Sequence, residues 1–262
     1  MPRLSANLDF LFNEVPFLER FERAAAAGFR SVECHWSWRA DPGAMAEALT
    51  ANGLRLDAMN VWGGNYPAGE RGYAADPGRT EAFRESLDEA LAASTVLGRP
   101  KLHMLAGKRL PDLDIAEQFE ALVANYAWAA ERLAETGRLG LIELLNPVDN
   151  PGYILESMDD VVELLDAVDS PDLRIQFDVY HLQRTSGDLI ATIRRLADRI
   201  GHVQIADAPD RHEPGTGEIN YASVLRALDE VGYDGCVGLE FRPSGVTEDA
   251  FGWIEEYGFA RG

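Results

Sequence analysis

The sequence predicts one α/β domain of the (β/α)8 TIM-barrel class, and three observations carry that expectation. Apolar runs alternate with amphipathic segments about eight times along the chain, the pattern of parallel strands joined by crossover helices. The length of 262 residues suits a barrel, which takes roughly 250. The main rival, an open doubly wound sheet, would carry a GxGxxG phosphate loop after its first strand, where this chain has Asn7-Leu8-Asp9.

In order, LSANL precedes a helical segment from Val15 to Ala27, RSVECHW precedes Pro42 to Asn52, and LRLDAMN precedes a loop and then Arg79 to Leu97. KLHML leads to a helix around Ile115 to Glu135, and LGLIELL to Met158 to Ala167. The last three pairs are LRIQFD with Leu189 to Arg199, HVQIAD with Tyr221 to Glu230, and CVGLEF with Glu248 to Tyr257. Gly28, Gly53, Gly98, Gly137 and Gly232 fall where helices end, which predicts short turns at the barrel floor. The long connections follow strands three, four, five and seven, at the C-terminal face where barrel active sites are built. The whole of residues 1–262 is expected to form a single catalytic domain.

A net charge of −20 argues against a nucleic-acid backbone as partner, since such affinity comes from clustered Lys and Arg. Cys34 and Cys236 lie far apart in apolar runs, so buried free thiols in a reducing compartment are expected rather than a disulfide or a cysteine metal site. The start MPRLSANLDF has no signal-peptide pattern, and no stretch of about 18 apolar residues occurs, so no membrane association and a cytoplasmic location are expected.

Four residues closing apolar runs point to the chemistry: Glu143 in LGLIE, Asp178 in LRIQFD, Gln204 in GHVQIAD and Glu240 in GCVGLEF. In strands buried on both faces such side chains are costly unless something binds them. Each has an ordinary alternative. Glu143 could face solvent, Asp178 could cap a helix, Gln204 could satisfy backbone groups, and Glu240 could pair with Arg242. Together, on four consecutive strands, they form a candidate divalent-metal cage. Its oxygen donors favour Mg2+ or Mn2+, whereas a histidine in place of Gln204 would tilt the set toward zinc or cobalt.

The runs LIELLN, FDVYHLQR, GHVQIADAPDRHEPGTGEINY and GLEF, with SANL at the start and PAGERG in the third loop, resemble the hydroxypyruvate isomerases of the xylose isomerase-like barrel superfamily. The resemblance spans nearly the whole chain, and EPGTGEIN is its most specific part. It implies metal ligands at Glu143, Asp178, Gln204 and Glu240, with Glu143 and Glu240 also catalytic. It further implies isomerisation of hydroxypyruvate to tartronate semialdehyde through an enediolate, with other short oxo-acid isomerases or ketose 3-epimerases as the alternative. Where the family more often reads IEPIN after the fifth strand, this chain has Leu144 and Leu145. Met59 stands where a histidine often precedes Asn60.

The resemblance implies a substrate contact at His181, three residues after Asp178, and Arg211 and Glu213 occupy the long loop after strand seven. An anionic sugar-acid substrate needs a local cation, for which Arg71 and Lys108 are candidates, and Asn60 completes the expected substrate residues. Trp36, Trp38 and Trp62 fall in loops that could roof the pocket or pack elsewhere. A homo-oligomer is implied by the resemblance. An abasic-site endonuclease on the same barrel would need several histidine ligands and a basic groove, while an epimerase, a dehydratase or a non-catalytic sugar-binding barrel shares the scaffold.

Overall fold

The computed structural model describes residues 3–258. Eight parallel strands form a closed barrel in sequence order. They are β1 (Arg3–Asn7), β2 (Ser31–Cys34), β3 (Arg55–Asn60), β4 (Lys101–His103), β5 (Gly140–Ile142), β6 (Leu173–Asp178), β7 (Ile200–Ile205) and β8 (Cys236–Leu239). The ring closes where Leu4 lies opposite Val237 and Ala6 opposite Leu239. Every residue of β2, β5 and β8 is buried, as expected for strands covered by helices outside and by packed side chains inside.

The helices follow the expected segments, with local chemistry at their ends. Asp114 caps Ile115–Thr136 by accepting from the Ala116 backbone N–H, and Gly137 closes that helix in the left-handed conformation at φ 61°. Ser157 and Asp160 form a reciprocal capping box on Met158–Val168. Two segments begin later than expected as α-helix. The first follows a 3-10 turn at Phe17–Glu19 and runs Arg20–Ala26, and the last follows Thr247–Phe251 and runs Gly252–Glu256. An additional short helix, Val179–Gln183, follows β6 directly.

The long connections after β3, β4, β5 and β7 gather at the C-terminal end of the barrel. Bridges between Gly72 and Ala106 and between Lys108 and Tyr153 pin three of them together. Cys34 and Cys236 are buried free thiols, as expected. No helix among the described residues is long and apolar enough to cross a membrane.

Candidate active site

Interior-facing residues of a strand recur at every second position, so Gln176 and Asp178 share one side of β6, and His202 and Gln204 share one side of β7. Asp178 lies directly beside Gln204 in register, and Gln204 lies beside Gly238 of β8. Glu143 and Glu240 follow one residue after the ends of β5 and β8. All four side chains are buried, none more than 5% exposed.

Each polar head is tied back on one side. Gln176 Nε2 donates to Glu143 Oε2 at 3.0 Å, which leaves Glu143 Oε1 buried without a partner. Gln204 Nε2 donates to Glu33 Oε1 at 2.8 Å, which leaves Gln204 Oε1 equally bare. Asp178 Oδ1 accepts from the backbone N–H groups of Tyr180 (2.7 Å) and His181 (3.1 Å), so its role as the cap of Val179–Gln183 is real and leaves Oδ2 for the site. Glu240 Oε1 meets His35 Nε2 at 2.5 Å and Asn7 Nδ2 at 3.3 Å, and its Oε2 accepts from Arg211. The partner of Glu240 is therefore Arg211, not Arg242. The same guanidinium reaches Asp178 Oδ2 at 3.6 Å.

Glu143, Asp178 and His181 offer atoms within 4.8 Å of one another, close enough to surround one cation. Unpartnered buried oxygens are expensive in a low-dielectric interior, so the bare Glu143 and Gln204 oxygens suit an oxygen-loving divalent ion. The residues thus fit a metal ion.

His181 is better suited to donating than to ligating. Its Nδ1 accepts from the Asn146 backbone N–H at 3.1 Å, and burial, followed by the nearby Arg211 charge, pushes its pKa down to about 3. A neutral ring whose Nδ1 accepts carries its proton on Nε2, which lies 3.8 Å from Asp178 Oδ2. His103 Nε2 stands 3.3 Å from Glu143 Oε2 without making a hydrogen bond, and burial lowers its pKa to about 3 as well.

Burial, with the nearby charges of Asp178 and Glu240, raises the pKa of Glu143 well above the ordinary value. Burial raises that of Asp178 to about 7 although Arg211 pulls against it. For Glu240 the desolvation that would raise its pKa is overridden by Arg211 and His35, and the group is held low.

A cavity of about 180 Å³ opens above these groups, lined by Glu143, Glu240, His181, Arg211 and Asn60 and by Asp9, Phe10, His35, Trp36, Tyr66, His103 and Arg242, whereas Asp178 and Gln204 are not part of its lining. Trp36 packs against Tyr66 and Trp62, whereas Trp38 is fully buried and donates to the Asn60 carbonyl. Arg71 and Lys108 line a neighbouring cavity of about 250 Å³. Arg71 is engaged by its own loop and by the loop after β5: Nε donates to Asn150 Oδ1 at 2.7 Å, Nη1 donates to the Tyr66 and Glu70 carbonyls, and the guanidinium lies over the Tyr66 ring. Glu213 accepts from the Ser244 N–H and hydroxyl, joining the loops after β7 and β8.

The sequence reading did not single out Glu33, His35, His103 or Gln176, and it named Arg242 only as a rim partner for Glu240. Glu33 and His35, Gln176 and Asp178, and His202 and Gln204 are all spaced by two, so extending each strand's alternation would have pointed inward at most of them.

A closed parallel barrel with carboxylates and an amide at its C-terminal mouth defines a barrel enzyme suited to chemistry beside a cation. The chain matches the xylose isomerase-like TIM barrel model over residues 21–257 and belongs to that family. It is 41% identical to the 2-oxo-tetronate isomerase of Cupriavidus necator over 98% of this chain and 99% of that one. It is also 41% identical to the hydroxypyruvate isomerase of Escherichia coli, over 98% and 100%. A solved structure described as an AP endonuclease, family 2, from Brucella melitensis superposes with a TM-score of 0.94 at 41% identity, covering 98% of this chain and 99% of that one. With such relatives over nearly its full length, the chain is an enzyme of the isomerase class.

Proposed function

We propose that this enzyme interconverts hydroxypyruvate and tartronate semialdehyde, with a divalent ion, Mg2+ or Mn2+, held by Glu143, Asp178, Gln204 and Glu240. The observation that carries the proposal is the pair of buried, unpartnered oxygens on Glu143 and Gln204, with Glu143 lining the same cavity as Glu240 and His181. The hydroxypyruvate isomerase named among the relatives supports this choice of substrate.

The reaction moves a proton between adjacent carbons. One glutamate of the Glu143/Glu240 pair takes a proton from the hydroxymethyl carbon, giving an enediolate, and the other returns one to the former carbonyl carbon, while the hydroxyl proton passes from the first carbon's oxygen to the second's. A divalent ion bound by these residues would supply positive charge to offset the developing enediolate. Gln176 and His35 hold the two carboxylates in place, and His181 donates a hydrogen bond from its Nε2–H to a substrate oxygen. Trp36 and Tyr66 wall the cavity and limit water.

A second reading, isomerisation of a four-carbon 2-oxo-tetronate, is favoured by an equal 41% identity to an isomerase of that name. Both readings share the same proton transfer. A nuclease reading is disfavoured by the net charge of −20 and by the single histidine in the candidate metal cluster found among the described residues. The test is removal of metal with EDTA followed by addition of Mn2+ or Mg2+, with both oxo-acids as substrates. Activity should vanish and return. Full activity in verified metal-free protein would overturn the proposal.

A further inference from the structure

The cavity holds two cations in its wall, and they differ in state. Arg211 is buried and bound to Glu240 and Asp178. Arg242 has no hydrogen-bond or ion-pair partner for its guanidinium among the described residues, although carboxylates abound in this protein. Its backbone, by contrast, is fixed. The Arg242 N–H donates to the Arg211 carbonyl at 2.8 Å, and the Arg242 carbonyl lies 2.6 Å from His212 Nδ1.

Asp9, the carboxylate that shares this part of the wall, is already satisfied. It accepts from the His35 N–H at 2.6 Å and from the Ser37 hydroxyl. A groove of about 630 Å³ adjoins the cavity, and Asp9, Phe10 and Arg242 line both. Arg242 therefore stands at the seam where the reaction cavity opens outward.

We propose that Arg242, rather than Arg71, is the specificity-determining residue that reads the carboxylate of the substrate. A 2-oxo acid carries its carboxylate next to the reacting carbonyl, so the anion must sit beside the metal-binding groups, within the same cavity. A free planar guanidinium there can take both carboxylate oxygens, which selects short 2-oxo acids over neutral ketoses. Arg71 lacks that freedom because its own loop and Asn150 engage it. This inference rests on the oxo-acid reading above and deepens it.

The test compares wild type, Arg242→Gln, Arg242→Lys and Arg71→Gln, each metal-loaded, with hydroxypyruvate and with its uncharged counterpart dihydroxyacetone. Steady-state kinetics and titration calorimetry are both read. Arg242→Gln should raise KM and Kd for hydroxypyruvate by about tenfold or more, with kcat within about threefold and dihydroxyacetone little affected. Arg242→Lys should recover part of the loss, and Arg71→Gln should affect the two compounds equally. Unchanged hydroxypyruvate binding in Arg242→Gln, or equal loss for both compounds, would overturn the proposal. If the wild type binds hydroxypyruvate without converting it, the hydroxypyruvate reading fails, while weakened anion binding in Arg242→Gln would still support Arg242 as the carboxylate reader.

Discussion

Gln204 is turned by Glu33: the amide nitrogen donates to Glu33 Oε1 at 2.8 Å, so the amide oxygen is the atom presented to the site. Glu33 is in turn held by His202 Nε2 at 2.6 Å and by Asn7 Nδ2 at 3.0 Å. Space for its carboxylate exists because residue 238 is glycine, where an added Cβ would come within 2.4 Å of Glu33 Oε2. Glu33→Gln should place a donor against the Gln204 amide and turn the wrong atom inward. Affinity for Mn2+, measured by calorimetry, should fall by about 10–100-fold with the fold retained by circular dichroism. Unchanged affinity would mean that Glu33 only packs.

Gly238→Ala tests the same relationship from β8. The methyl group would press on the Glu33 carboxylate, so metal affinity and melting temperature should both drop, by roughly 1–3 kcal/mol in stability for a small-to-large change in a packed interior. A variant as stable as wild type would contradict the close approach.

Protonation of the metal-free site sets a pH dependence of stability. Asp178 has its pKa raised from 3.8 to about 7, and Glu143 is raised too. The folded state then binds more protons than the unfolded one between about pH 4 and pH 7, so stability from these groups falls as pH rises through that window. Glu240 is shifted the other way, and its favourable contribution is already complete above its unfolded value of 4.5. His103 and His181, lowered to about 3, act in the opposite direction and add stability as pH rises toward their unfolded value of 6.5. The carboxylate contribution is therefore read as the melting temperature of EDTA-treated wild type minus that of EDTA-treated Asp178→Asn, a difference that should decline from pH 5 to pH 7. A difference that rises over that range would contradict the assignment.

The histidines give a spectroscopic check. With pKa values near 3, His103 and His181 should stay neutral across pH 5 to 8, and His181 should show the Nε2–H tautomer in nitrogen-15 NMR. Titration of either ring in that range, or a proton on His181 Nδ1, would refute the geometry described.

Much of this site was legible in the sequence because the four strand-end groups violate an apolar pattern, and a buried Glu, Asp or Gln among Leu, Ile and Val stands out. The barrel was legible for the same reason: eight apolar runs separated by amphipathic helices have few other solutions. What the residues could not reveal is partner choice. Glu240 pairs with Arg211 from a distant loop rather than with Arg242 two residues away, because the backbone after β7 carries Arg211 over the mouth at a left-handed φ of 61°. Arg71 looked like a free cation because nothing local shows that Asn150, 79 residues on, accepts its hydrogen bond. Glu33 and His202 were hidden by lying one layer beneath the strand ends.

The most direct test of the central claim is proton NMR of hydroxypyruvate with Mg2+-loaded enzyme in D2O, run in parallel with Glu240→Gln and Glu143→Gln. Wild type should form tartronate semialdehyde with deuterium entering the carbon that receives the returned proton. Either variant should bind metal yet turn over about 100-fold or more slowly. Wild-type rates in a metal-bound Glu240→Gln or Glu143→Gln enzyme would contradict proton transfer by this glutamate pair.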